Sequence, residues 1–205
     1  MEWRDVVVLF VRPAPDFLMD AFLTSTLLVA IAEIGDKTML LAILLATRFR
    51  KPVPIILGIL LATLANHALA ALAGQLVAEL LQSTWFRVAI ALSFIAMGLW
   101  TLVPDKLDED EEPKSGHSAF LTTLIAFFLV EIGDKTQIAT VALGAQFASL
   151  ALVTAGTTLG MMIANVPAVL LGNALVQRIS LSTVHGIAAA LFIAAGGWML
   201  WAALS

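Results

Sequence analysis

The hexapeptide Glu33-Ile34-Gly35-Asp36-Lys37-Thr38 recurs unchanged, 98 residues later, as Glu131-Ile132-Gly133-Asp134-Lys135-Thr136. Each copy stands inside a long apolar run. Any fold for this chain must therefore accommodate six ionisable side chains deep in apolar surroundings. The likeness extends beyond the hexapeptide at the same offset. Phe22-Leu23-Thr24 recurs as Phe120-Leu121-Thr122, and Phe94-Ile95-Ala96 as Phe192-Ile193-Ala194, followed by Gly98/Gly196, Trp100/Trp198 and Leu102/Leu200. Asn66 and Asn165 also match, with a slip of one residue. The chain reads as two copies of one unit.

Apolar residues make up 60% of the 205 residues and charged residues 13%, about half the ~25% charge of soluble domains. A soluble fold of this length cannot hide so much apolar surface, and disorder needs the opposite composition. A net charge of −4 without a basic stripe argues against nucleic acid as a partner. The absence of cysteine excludes disulfides, thiolate metal sites and cysteine nucleophiles.

A helix needs ~20 mostly apolar residues to cross a bilayer. Six runs qualify: 20–45, 53–78, 86–103, 118–144, 150–176 and 184–204. They are continuous rather than alternating, as helices require and β-barrel strands do not. The expected fold is an all-α membrane protein of six transmembrane helices in two three-helix repeats, 20–103 and 118–205. Residues 1–19 form an interfacial arm, because their apolar stretch is too short for a signal peptide. Between the repeats, 104–117 is an acidic linker with six carboxylates and two lysines in 105–114.

Three spans per unit mean that the second copy enters the membrane inverted, the plan of secondary transporters with midplane sites. Arg48, Arg50, Lys51, Lys106, Lys114 and Arg178 fall on one side, and Arg4, Arg12 and Arg87 on the other. The positive-inside rule then makes the acidic linker cytoplasmic and both termini external, in the cell (inner) membrane. Trp85, Trp100, Trp198 and Trp201 lie near span ends, as interfacial aromatics do.

Insertion scales charge ~2.5–3.5 kcal/mol per mid-membrane ionisable group, so packing alone does not account for the motif. On a continuous helix Glu33 and Asp36 share one face, as do Glu131 and Asp134. Gly35 and Gly133 permit a kink or close backbone approach. Thr38 and Thr136 offer hydroxyls. Four carboxylates brought to one point cannot all stay ionised, and protons or a metal ion relieve the crowding. A pocket that accepts either is the core of a cation/proton exchanger. Hard oxygen donors suit Mn²⁺, Ca²⁺ or Mg²⁺. The competing structural reading makes Glu33–Lys37 and Glu131–Lys135 i, i+4 salt bridges, which leaves Asp36 and Asp134 unpaired.

The paired E-x-G-D-[KR]-[ST] motif in two three-helix repeats resembles the Golgi and bacterial manganese/calcium–proton exchanger family (in bacteria, the MneA-type manganese exporters). The likeness runs from about Phe22 to the end. It implies export of Mn²⁺ or Ca²⁺ from the cytosol against protons, with Glu33, Asp36, Glu131 and Asp134 as the cation site. Gly35, Lys37, Thr38, Asn66, Gly133, Lys135, Thr136 and Asn165 are the supporting residues. The ion is substrate, and no prosthetic group is expected. Alternatives are an exporter of another metal or of amino acids, a proton channel, or an intramembrane aspartyl protease using Asp36 and Asp134. The protease reading is disfavoured because Glu stands where its G-x-G-D segment has Gly, and a lysine adjoins each aspartate. No enzymatic activity is expected.

Lesser candidates have plainer readings. Asn66 and Asn165 are interhelical hydrogen-bonders or ligands. His67, opposite Val166 in the other copy, reads as a packed histidine, and His117 and His185 as incidental. Met161-Met162 reads as packing filler, Pro167 as a kink and Glu79 as solvated. Gln137 replaces Met39 after the second motif.

Overall fold

In the computed structural model, residues 15–80, 83–103, 118–172 and 180–205 are described. The linker 104–117, residues 1–14 of the arm and His117 lie outside them. Among the described residues there are eight α-helices and no strand: α1 Pro15–Glu33, α2 Lys37–Phe49, α3 Pro52–Leu80, α4 Thr84–Thr101, α5 Ala119–Glu131, α6 Lys135–Phe147, α7 Leu150–Leu171 and α8 Leu181–Leu204. Among the described residues, four stretches are unbroken and apolar enough to cross a membrane: Pro52–Ala78, Thr84–Thr101, Leu150–Leu171 and Ser182–Leu204. The helix α7 continues through Pro167.

The expected first and fourth spans are each split at the motif. The α1 helix stops at Glu33 and α2 starts at Lys37; α5 stops at Glu131 and α6 starts at Lys135. The cause is local. Gly35 and Gly133 have φ of 88° and 78°, a left-handed conformation that glycine adopts without a Cβ penalty. The following aspartate then caps the next helix. Asp36 accepts from the Lys37 amide at 2.6 Å, and Asp134 from the Thr136 amide at 3.5 Å. The i, i+3 relation expected for Glu33 and Asp36 on one helix is therefore absent, as is the i, i+4 relation of Glu33 and Lys37. At their far ends α2 and α6 stop alike, at Arg50 and Ala148 with φ of 52° and 46°.

Several contacts between the halves follow an exchange rule: adding 98 to one partner and subtracting it from the other gives a second contact. A Cβ on Gly98 would meet Ala189 O and the Ile193 side chain; one on Gly196 would meet Ala91 O and the Ile95 side chain. Gly58 lies against Phe120 O and Thr123, and Gly156 against Phe22 O and Ser25. The small residues let backbones approach, which is how helices associate where no hydrophobic drive separates protein from lipid. Because α3 and α7 are unbroken helices anchored at Gly58 and Gly156, the offset of 98 holds along both. The one-residue slip inferred from Asn66 and Asn165 is thus corrected. Asn66 corresponds to Ala164, and His67 to Asn165 rather than Val166.

Two apolar clusters result. One gathers Leu41 and Leu45 of α2, Ile55 of α3, Ala126 and Val130 of α5, and Val169 of α7. The other gathers their counterparts Ala139 and Leu143 of α6, Val153 of α7, Leu28 and Ala32 of α1, and Ala71 of α3. The two helix breaks fall where one cluster gives way to the other.

Gly98→Ala and Gly196→Ala should each destabilise the protein by ~1–3 kcal/mol, the usual cost of overpacking. Denaturant unfolding in detergent measures this. Comparable losses at the two positions are expected; a loss at one alone contradicts the exchange rule.

Candidate functional site

The two breaks meet inside the bundle. Glu33 and Glu131 are the last residues of α1 and α5, and Asp36 and Asp134 cap α2 and α6. All four are at least 96% buried. The helix dipole treats the two pairs oppositely. The aspartates lie at positive N-terminal ends, where negative charge is favoured. The glutamates lie at negative C-terminal ends, where it is not.

The lysines of the motifs reach across. Lys37 Nζ is 3.3 Å from Asp134 Oδ1, and Lys135 Nζ is 3.6 Å from Asp36 Oδ2. The two ion pairs are exchange-related, and they give the aspartates the partners that helical salt bridges would have denied them. Four carboxylates against two ammonium groups leave a formal charge of −2 on these six side chains.

The threonines act on the glutamates. Thr38 Oγ1 donates to Glu33 Oε2, and Thr136 Oγ1 donates to Glu131 Oε1 at 2.6 Å. Each glutamate keeps a second, buried oxygen without a hydrogen-bond partner among the described residues, Glu33 Oε1 and Glu131 Oε2. Such groups are costly to leave unmatched. Glu33, Glu131 and Asp134 each present a carboxylate oxygen within 4.8 Å of the other two. Oxygens on opposite sides of one Ca²⁺-sized ion, bound at ~2.3–2.6 Å, stand ~4.6–5.2 Å apart. The three acids therefore fit one divalent cation with little movement. Asp36 lies outside this group of three, beside Lys135.

Supporting residues satisfy the freed backbone. Asn66 Nδ2 donates to Phe128 O at 3.0 Å, one of the carbonyls left open near the end of α5. The Gly133 amide donates to Gln137 Oε1 at 2.7 Å, and the Gly35 amide to Met39 Sδ at 3.4 Å. Gln137 and Met39 thus do one job in the two halves. Asn165 Nδ2 donates within its own helix, to Met161 O at 3.1 Å, and its Oδ1 is buried without a partner among the described residues.

His67 was not legible as a site residue. It is fully buried, with Nε2 3.3 Å from Glu131 Oε1. With Glu131 ionised, that contact requires the imidazole hydrogen on Nε2, since a carboxylate only accepts. The counterpart position holds Asn165, so the two glutamates are held unequally. A constant offset of 98 into α3 and α7 was the available signal; the identity of the two asparagines obscured it.

A family model described as divalent cation/proton antiporter GDT1 matches residues 21–109 and 119–205. Over 185 residues the chain is 50% identical to a Vibrio cholerae protein carrying the provisional name of manganese exporter, covering 89% of this chain and 92% of that one. It is 31% identical over 195 residues to the GDT1-like protein sll0615 of Synechocystis, covering 85% and 94%. It is 30% identical over 202 residues to GDT1-like protein 4 of Oryza sativa subsp. indica, covering 86% and 71%. No solved structure matches the chain.

A double-mutant cycle with Asp36→Asn and Lys135→Met tests the crossed ion pairs. Unfolding in detergent should give a coupling energy of ~0.5–3 kcal/mol, the range for residues in contact. Additive effects contradict the pairing.

Proposed function

The chain belongs to the divalent cation/proton antiporter GDT1 family, and from that footing we propose that it exports Mn²⁺ from the cytoplasm in exchange for protons, with Ca²⁺ the other candidate substrate. It is an integral membrane transporter, not an enzyme. The observation that carries the proposal is the buried group of Glu33, Glu131 and Asp134, contributed by both helix breaks and left with two unmatched carboxylate oxygens. An all-oxygen donor set favours Mn²⁺, Ca²⁺ or Mg²⁺ over softer ions. The name of the Vibrio relative favours manganese among them.

In this reading α1–α2 and α5–α6 are broken spans, and with the four unbroken helices they make six crossings in two inverted repeats. Broken helices that turn their ends on a midplane site are a recurring device of such transporters. Both termini are external and the acidic linker is cytoplasmic, in the cell membrane. A cation arriving from the cytoplasm displaces protons from the glutamates. Protons arriving from outside release the cation there. Thr38, Thr136 and His67 hold the glutamates so that each turns one oxygen to the ion. Asp36 and Asp134, tied to lysines of the opposite half, keep the two breaks together. That pairing also removes the shared-proton arrangement an aspartyl protease needs.

Reconstitution into vesicles containing a pH dye tests this with Mn²⁺, Ca²⁺, Mg²⁺ and Zn²⁺ in turn. The expected result is Mn²⁺-dependent proton movement. It should fall to background in Asp36→Asn and in Asp134→Asn, with the variants still inserting. Full transport by the double variant, or Mn²⁺ flux without counter-movement of protons, overturns the proposal.

A further inference from the structure

Some contacts lack an exchange counterpart of equal extent: α3 packs on α6 more extensively than α7 packs on α2, and the α4–α8 pair departs further still. The helices α4 and α8 pack lengthwise on each other, joined at Gly98 and Gly196 and by the Phe94 and Phe192 rings at 6.0 Å. As a unit they are peripheral, burying 33% and 22% of their most apolar stretches, against 50% and 61% for α3 and α7. The pair maps onto itself under exchange. Its contacts with the rest do not. The α4 helix packs on α6 and α8 packs on α1, whereas the exchange-related contacts, α8 on α2 and α4 on α5, are not formed to comparable extent.

The apolar clusters agree independently. Ile90, Phe94 and Met97 of α4 and Phe192 of α8 join the cluster containing Leu28, Ala32 and Leu143. The counterpart cluster, with Ala126, Val130 and Leu45, contains no residue of α4 or α8. Ala142, beneath α4, is buried, while its counterpart Leu44 on α2 is partly exposed. A pair that is symmetric in itself rests on one of two related cores.

We propose that the α4–α8 pair is the body that changes partners during transport, resting on α1 and α6 in one state and on α2 and α5 in the other. The proposal rests on the exchange reading above and adds which element moves and between which surfaces. A symmetric pair offered two related cores can sit on only one at a time, and moving from one to the other exchanges one set of contacts for its counterpart. Sub-ångström adjustment at the site is thereby converted into a two-state change, because packed interfaces are bistable rather than continuously deformable. In the present state the pair closes the end of the bundle where α1 begins and α8 ends.

The chain has no cysteine, so paired substitutions report cleanly. Ile90→Cys with Ala142→Cys joins α4 to α6, two residues lining one cleft of about 220 Å³. Leu44→Cys with Ala188→Cys is its exchange counterpart, joining α2 to α8. Both pairs should crosslink, and each crosslink should slow Mn²⁺/H⁺ exchange at least ~10-fold, as gating steps do when blocked. Reduction should restore exchange, and the crosslinked proteins should still bind Mn²⁺. Failure of the second pair to crosslink in a protein that exchanges Mn²⁺, or full exchange with the first pair locked, overturns the proposal. Absence of Mn²⁺ binding by the unmodified protein overturns the exchange reading instead. A measurement free of core substitutions uses spin labels at Arg87→Cys and Gln146→Cys, both exposed and lining a cleft of about 420 Å³ between α4 and α6. Two distances whose proportions change with Mn²⁺ and pH are expected; one fixed distance overturns it.

Discussion

Everything in this protein depends on how carboxylates are kept inside an apolar bundle. An isolated buried charge is costly, and pairing lowers that cost only when hydrogen bonds complete it. The chain divides the task between two kinds of acid. Each aspartate sits at a helix N-terminus and meets a lysine of the opposite half. Each glutamate sits at a helix C-terminus, receives one threonine hydroxyl, and retains an unmatched oxygen. The aspartates are largely compensated by the fold. In the proposed mechanism the glutamates are the acids that still require a cation or a proton, and transport would follow from that residual demand.

The same breaks tie the two halves to each other. A lysine from one motif completes the aspartate of the other, and the group of three acids draws on both helices. Neutralising one motif therefore exposes the charges of its partner. Small residues at the crossings hold this arrangement to a narrow geometry, since several of them have backbone atoms where a methyl group would lie. The crossed ion pairs at the site are symmetric, and asymmetry enters through His67, Asn165, the closer packing of α3 on α6, and the α4–α8 pair.

Much of this was legible in the sequence because charge in an apolar run and exact repetition are strong signals. The helical class and the four unbroken apolar spans were read directly. The helix breaks were only half legible. Gly35 and Gly133 announced freedom, but whether a glycine bends a helix or ends one depends on the next residue finding a cap, as Asp36 and Asp134 do. Side-chain partners across the bundle were not legible. Lys37 could have paired along its own helix, and only the break sends it toward Asp134. His67 was read as a packed histidine, and it is buried, but its counterpart was taken as Val166 because Asn66 and Asn165 are identical letters, whereas helix continuity from Gly58 and Gly156 pairs it with Asn165. Identity at one position is weaker evidence of equivalence than an unbroken helix between two fixed contacts.

The central claim is that two helix breaks form one cation site, not two half-sites. Equilibrium dialysis of the purified protein against Mn²⁺ counts the ions directly. One ion per chain is expected, lost completely in Glu33→Gln and equally in Glu131→Gln. Two ions per chain, with each substitution removing one and sparing the other, would contradict the account.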